Sequence, residues 1–396
     1  MDAALYHPEF GYYARAVQRS GRAGDFFTSV DVGPLFGELL ARQIDEMAGL
    51  ACEVVSGRPA GGPEKFDLVE AGAGNGRLSA DVLRALKRDY PETYIATHLH
   101  LVERSEVARR THAQTLAEVA DRLTSSSPAL PDSFEGVLIA NELLDAMPVH
   151  QVVMRENGLR EVYVESRGDD FGLCEGPLST PRLAGYFAAL GATLDPGWRA
   201  EVSLAAVDWM REAARKLKRG FVILIDYGHE ASELYSVTHS AGTLTSFSHH
   251  RSTGPESAVT PWLRNPGQQD LTAHVEFTSI RNAAEAEGCT TLGFLDQMYF
   301  LLALVSAGQR LERPEGRSLQ APVGELETPE GRSLPAPVGD ALQGVPRIET
   351  LTIKERLALK TLVMPGGLGS TMKVMVLGKG VGAPKLTALS SHGRVT

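Results

Sequence analysis

The stretch Glu70-Ala71-Gly72-Ala73-Gly74-Asn75-Gly76 constrains this chain more than any other. It joins an apolar run, Phe66-Asp67-Leu68-Val69, to a helix-like one, Arg77-Leu78-Ser79-Ala80-Asp81-Val82-Leu83. Glycines at alternate positions let a backbone turn sharply out of a buried strand and come close to a ligand where a Cβ would obstruct the approach. The loop alone fits a plain strand-to-helix turn as well. Its spacing separates the ligands it could take. A dinucleotide fold uses G-x-G-x-x-G to seat a pyrophosphate on a helix N-terminus. Here the residue three after Gly74 is Arg77, no G-x-x-x-x-G-K-[ST] occurs, and the carboxylate of Glu70 closes the strand just before the glycines. An acid there suits a nucleotide-like ligand with a positive charge, which points to S-adenosylmethionine rather than a phosphate-rich cofactor.

A second acid supports the first. His98-Leu99-His100-Leu101-Val102-Glu103 reads as another short strand ending in a carboxylate, with Ser105 as cap for a helix expected over Glu106 to Leu123. At the carboxyl edge of a sheet, Glu103 could accept both ribose hydroxyls, as the acid after the second strand does in a dinucleotide fold. Further buried runs, Phe134 to Ala140 and Phe221 to Gly228, the second preceded by a helix from Glu201 to Lys218, fit strands covered on both faces. An antiparallel pair near Thr290 to Phe294 and Met372 to Leu377 is expected to complete the sheet. The fold class is therefore α/β, a Rossmann-like and mostly parallel sheet with helices on both faces.

The expected organisation is an N-terminal cap or cofactor lid over residues 1–62, ending in the linker Pro59-Ala60-Gly61-Gly62-Pro63, and a core over residues 63–396. Within the first part, an amphipathic helix should run from about Pro34 to Met47. Two inserted elements, at 149–200 and 229–270, are placed to shape a substrate cleft and a lid. The first contains strands Gln151 to Arg155 and Leu159 to Glu165 around Asn157-Gly158, a strong hairpin signal. The second is rich in Ser, Thr, Gly and Pro and is expected to be irregular. Pro314 to Glu325 recurs fifteen residues later as Pro329 to Asp340, so 312–345 reads as a mobile, duplicated surface segment.

Composition excludes several classes. A formal net charge of −10 argues against a general nucleic-acid surface. No apolar run approaches a membrane span. Cys52, Cys174 and Cys289 lie far apart without metal-ligand spacing, as expected in a reducing compartment. The N-terminus carries neither a signal-peptide core nor an organellar presequence, from which a cytoplasmic location is expected.

Asn141-Glu142 and Asp145 follow a central strand, at the edge where open α/β sheets bind ligands. From there side chains can face a cofactor seated on the glycine loop. Methyl transfer needs an acceptor in line with the sulfonium carbon, exclusion of water and a route for one proton. If the acceptor is an arginine, a carboxylate pair is the natural device to orient its planar fork of donors. Glu142 and Asp145 are the candidate pair; helix capping and solvation are their simpler roles. Asp226-Tyr227-Gly228 ends another strand, and Asp270 to Phe277 places His274 where it could relay the released proton. No ordered metal-ligand set and no G-x-S-x-G elbow occurs.

These residues, taken in order, resemble the MidA family of S-adenosylmethionine-dependent methyltransferases. The matching stretches are Ala4 to Pro8 with Gly11-Tyr12-Tyr13; Gly24 to Ser29; Glu70 to Gly76; Val102 to Ser105; Ala140-Asn141-Glu142 with Asp145 to Val149; Asp226-Tyr227-Gly228; and Asp270 to Phe277. The resemblance implies a seven-stranded class I methyltransferase core and a Gly24 to Ser29 loop folded back on the cofactor, bringing in Thr28 and Ser29. It also implies a protein acceptor, since the family includes mitochondrial enzymes that methylate an arginine of a respiratory complex I subunit. The rival reading is a cofactor-binding assembly factor that docks a partner without catalysis.

Overall fold

A computed structural model describes residues 1–15, 28–56, 65–168, 170–248, 251–253, 260–307, 352–364 and 368–390. The duplicated segment, residues 24–27, the 59–63 linker, His249 and His250 lie outside them.

Seven strands build the central sheet: β1 (Phe66–Ala71), β2 (Thr97–Val102), β3 (Leu123–Ser127), β4 (Phe134–Asn141), β5 (Leu217–His229), β6 (Thr290–Asp296) and β7 (Met372–Lys379). Their spatial order is β6-β7-β5-β4-β1-β2-β3, and a two-residue strand, Val275–Glu276, adds to β5. The pairs β1–β2, β2–β3, β1–β4 and β4–β5 are parallel, whereas β7 runs antiparallel to both β5 and β6. This is the Rossmann-like sheet that the resemblance implies, with the expected antiparallel pair at its end.

Hydrophobic alternation explains why helices cover both faces. Leu68, Val137, Ile139 and Ile223 pack on one side with α1 (Leu35–Ser56), α2 (Arg77–Asp89), α5 (Gln297–Ala307) and α6 (Ile353–Val363). Val69, Leu138, Val222 and Leu224 pack on the other with α3 (Leu204–Lys216) and α4 (Phe277–Glu285). The central strands β4 and β5 therefore read as long apolar runs because both of their faces are buried.

Several elements depart from expectation. The helix expected over Glu106 to Leu123 breaks into Glu106–Arg109, His112–Leu116 and a 3-10 turn, Ala117–Arg122, which Ala117 enters at φ +48°. β3 follows, an edge strand whose Leu-Thr-Ser-Ser-Ser sequence carries almost no apolar signal. The helix before β5 begins at Leu204 rather than Glu201, because Arg199–Val202 is a strand and Ser203 caps the helix through Ala206 N. The hairpin forms with Glu156-Asn157 as its turn and Arg155 opposite Gly158; it joins Asp170–Gly176 and Arg199–Val202 in a four-stranded antiparallel sheet. Part of the stretch expected to be irregular is ordered: Thr245–Ser248 pairs with Arg251–Thr253 and Asp270–Thr272.

The sheet order changes direction between β1 and β4, so the chains leaving Ala71 and Ala140, paired in register, diverge and open a crevice at the carboxyl edge. Deeper in the sheet β4 and β5 touch through glycine. A Cβ on Gly220, at φ +128°, would lie 1.9 Å from the carbonyl oxygen of Gly136. Gly220→Ala is therefore expected to destabilise the protein by about 2–4 kcal/mol in urea unfolding. A loss under about 0.5 kcal/mol would contradict this packing.

Candidate functional site

The glycine loop is built to expose backbone. Gly72, Gly74 and Gly76 have φ of +73°, +53° and +84°. A Cβ on Gly74 would meet nothing within 4 Å, so this turn opens onto free space. On the opposite side the loop is clamped. Val102 O accepts from Gly72 N and Ala73 N at 2.9 and 3.1 Å. Glu103 Oε2 accepts from Gly74 N at 3.0 Å, and its Oε1 accepts from Ser105 N at 2.7 Å. His112 donates through Nε2 to Gly74 O at 2.9 Å while Nδ1 meets the Ser126 hydroxyl at 2.9 Å. Burial holds this imidazole below its ordinary value, which fits its role as a neutral bridge. Glu70 accepts from the backbone N–H of Ser79 at 3.1 Å and from the Ser79 hydroxyl, tying the strand end to the first turn of α2. Burial pushes its carboxyl up to about 7.

The facing wall comes from the end of β4. Glu142 is a non-glycine residue at φ +52°, a conformation that persists only where its surroundings impose it. Its N–H donates to Ile225 O at 2.8 Å. Beyond it, Asp226 Oδ2 accepts from the backbone N–H groups of Leu143, Leu144 and Asp145 at 3.1, 2.8 and 3.4 Å, and Oδ1 accepts from Tyr227 N at 2.9 Å. Glu142 Oε1 in turn accepts from Ser29 N at 3.3 Å and Asn141 Nδ2 at 3.2 Å. Burial, and secondarily the charge of Asp145, push the Glu142 carboxyl up to about 8. Asn141 Oδ1 is buried without a hydrogen-bond partner.

Between the two walls lies a cavity of about 500 Å³, within the range of small-molecule sites. Glu70, Gly72, Gly74, Glu103, Asn141 and Glu142 all line it. Thr28, Tyr6 and Tyr13 close it from the N-terminal side. Tyr6 stacks on Tyr13 with centroids 5.3 Å apart, lies 4.4 Å beneath the Arg104 guanidinium and donates to Ala146 O at 2.9 Å. Thr28 is fixed by Asp31, which accepts from its N–H and hydroxyl at 3.0 and 2.9 Å, and Asp31 also pairs with Arg77 at 3.4 Å.

Four of the expected site residues stand elsewhere. Gly76 leaves the cavity to begin α2, with its Cβ position facing Leu101 and His112. Ser29 contacts Glu142 through its backbone, and its hydroxyl donates to Gln297 Oε1 at 3.1 Å. Asp145 lies behind Glu142, accepts from the Thr272 hydroxyl at 2.8 Å and is pushed by burial up to about 6. His274 is not on this cavity; it packs against His229 and His239, and burial first, then those two rings, hold it down at about 4. The intervening chain turns it away, since Ala273 N is committed to Asp145 O and His274 N to the Thr243 hydroxyl. Sequence reasoning missed His112 as a clamp and Arg104 over Tyr6, and it named Asp226 only as an acid ending a strand, not as the clamp of the turn at Glu142. Arg104 carried a signal through its place beside Glu103; His112 carried none.

The cavity fits S-adenosylmethionine. Its polar walls are rich in acceptors, with carboxylates at Glu70 and Glu103 and an unpartnered amide oxygen at Asn141, against a ligand that presents an ammonium, two ribose hydroxyls and an amino group. The open side of Gly74 leaves room for close approach.

Comparison with known proteins agrees. Residues 39–295 match the model of a family described as S-adenosyl-L-methionine-dependent methyltransferase. A crystal structure of a COG1565 superfamily member from Burkholderia thailandensis bound to S-adenosyl-homocysteine is 28% identical with a TM-score of 0.75, covering 98% of this chain and 88% of that one. The curated protein arginine methyltransferase NDUFAF7, mitochondrial, of Danio rerio is 30% identical over 76% of this chain and 71% of its own length. The NDUFAF7 homolog of Drosophila melanogaster is 29% identical over 73% of this chain, which spans 66% of that relative. These relatives are mitochondrial, which overturns the expected cytoplasmic location; that expectation rested only on a missing targeting signal, and such an absence identifies no compartment. The chain belongs to the MidA family of class I methyltransferases, whose cofactor is S-adenosyl-L-methionine.

Proposed function

We propose that the chain methylates a protein side chain, an arginine guanidinium foremost, with Glu142 as the residue that receives it. The observation that carries this reading is Glu142 itself: a carboxyl held at positive φ in the cavity wall facing the glycine loop. The names of the curated relatives, protein arginine methyltransferases, support the acceptor class, and a respiratory-complex subunit is the acceptor that the family resemblance suggests.

The cofactor, when bound, supplies an electrophilic methyl group on a sulfonium. Glu103 takes the ribose hydroxyls with the lone pairs left free by Gly74 and Ser105. Glu70 faces the cationic end, Asn141 Oδ1 accepts one ligand N–H, and Thr28 with Tyr6 and Tyr13 excludes water from the N-terminal side. A guanidinium entering the cavity meets Glu142, which ionises against the cation, fixes one edge of the fork and accepts the proton lost on methylation. Asp145 acts through Glu142 as a positioning residue. His274 takes no part in this scheme.

The raised value of Glu142 gives a sign for pH dependence. Below about 8 the free carboxyl is protonated, so kcat/KM for an arginine peptide should rise with pH through that value. Glu142→Gln should flatten the profile and slow transfer by about 10²-fold or more while leaving S-adenosylhomocysteine affinity unchanged. The same raised value means that the folded state binds more protons than the unfolded one between the ordinary 4.5 and about 8, so Glu142 costs stability as pH rises through that window. The melting temperature of Glu142→Gln should therefore exceed that of the native protein at pH 8.5, and the gap should narrow towards pH 5. Equal melting curves at both pH values would remove the raised carboxyl from the account. Glu103→Gln should weaken S-adenosylhomocysteine binding by about tenfold or more in calorimetry, because one charge-assisted acceptor is lost. With labelled cofactor and a mitochondrial extract, methylarginine in a protein is the expected product. Cofactor binding without any labelled macromolecule would favour the assembly-factor reading.

A further inference from the structure

We propose that His229, His239 and His274 form a site for one divalent transition-metal ion of the zinc type, apart from the cofactor cavity. Three separate pieces of the chain bring these imidazoles together. His229 is the last residue of β5, His239 ends the short turn Val237–His239, and His274 directly precedes Val275–Glu276. That two-residue strand pairs in parallel with Gly228 and His229, and a Cβ on Gly228 would lie 2.1 Å from Val275 O, so the backbones meet as closely as they can. One possible ligand atom from each histidine lies within 4.8 Å of the other two. Tetrahedral zinc with bonds of about 2.0–2.1 Å places ligand nitrogens about 3.3 Å apart. Small rotations of half-buried rings cover that difference. The rings converge rather than stack, with centroids 4.9, 5.4 and 5.8 Å apart and planes inclined by 45°, 38° and 67°.

The hydrogen bonding leaves lone pairs free. His274 Nδ1 is buried without a partner. His239 Nδ1 lies 3.2 Å from both the Thr238 hydroxyl and the Glu233 carbonyl oxygen, so the ring is held through Nδ1, and with the hydrogen there Nε2 keeps its lone pair for an ion. His229 Nδ1 is 3.0 Å from Glu233 Oε1, a contact too bent to satisfy it as a hydrogen bond. Glu233 thus approaches two of the three rings from outside, as the residues that orient metal-bound histidines do. The nearby cation, Lys373, is paired with Asp296 at 2.5 Å. Three imidazoles without a thiolate select zinc, copper or nickel over magnesium or calcium. The fourth position falls to water. A bound ion would pin the 229–239 turn to the segment whose Ala273 N–H donates to Asp145 O, securing the wall behind Glu142 from outside the cavity.

The test uses the full, untagged chain, stripped with chelator and titrated with Zn²⁺ against a chromophoric competitor, then with Co²⁺ followed by visible absorption. One equivalent per chain is expected, with d–d bands of four-coordinate cobalt, and at least a hundredfold weaker binding in His239→Asn and in His274→Asn. S-adenosylhomocysteine binding should persist in both variants, which also reports that they fold. If His274→Asn fails to fold, the half-exposed His239→Asn and the native stoichiometry decide. Absence of a stoichiometric site, or a site that survives His239→Asn unchanged, overturns the proposal.

Discussion

One buried carboxylate organises the reactive edge of this protein. Asp226, at the end of β5, accepts the backbone N–H groups of Leu143, Leu144 and Asp145 with one oxygen and that of Tyr227 with the other. Burial first, then the neighbouring Asp145, push its carboxyl well above the ordinary range against the pull of the Leu144 and Tyr227 donors. A chain leaving β4 would otherwise have unpaired donors at a buried corner, which is costly. With those donors fixed, the turn is forced and Glu142 is carried to positive φ in the cavity wall. The position of the candidate acceptor residue therefore depends on a residue of another strand.

The opposite wall follows the same logic. Backbone groups of the glycine loop are aimed by Val102, Glu103 and His112 before any ligand arrives. Such pre-organisation lowers the ordering cost of binding. Both walls exist because the strand order turns between β1 and β4, and the two chain ends have no choice but to separate there. Burial raises the carboxyls of Glu70 and Glu142, so these two acids add less negative charge to the free site than their presence in the sequence suggests.

Much of this was legible in the sequence because it rests on local chemistry. Glycine spacing, the acids closing β1 and β2 and the apolar runs of β4 and β5 each follow from short-range rules. The family resemblance added the seven-strand count and the return of Thr28 to the cavity. What escaped is long-range or weakly patterned. β3 is polar and lies at an edge, so its sequence carries no strand signal and the segment before it reads as one helix up to Leu123. Asp226 looked like one more acid after a strand, since its partners lie eighty residues earlier. His274 looked like a proton relay because its neighbours in sequence are polar; its neighbours in space are His229 and His239. No spacing rule links three histidines so far apart in the chain.

In the proposed arrangement the cofactor lies across the glycine loop with its reactive end towards Glu142. A crystal structure with S-adenosylhomocysteine is the decisive measurement. Ribose hydroxyls on Glu103 are expected, with a sulfur that faces the Glu142 carboxyl across open space wide enough for a guanidinium. A ligand whose sulfur points away from Glu142, or whose adenine fills that space, would contradict it.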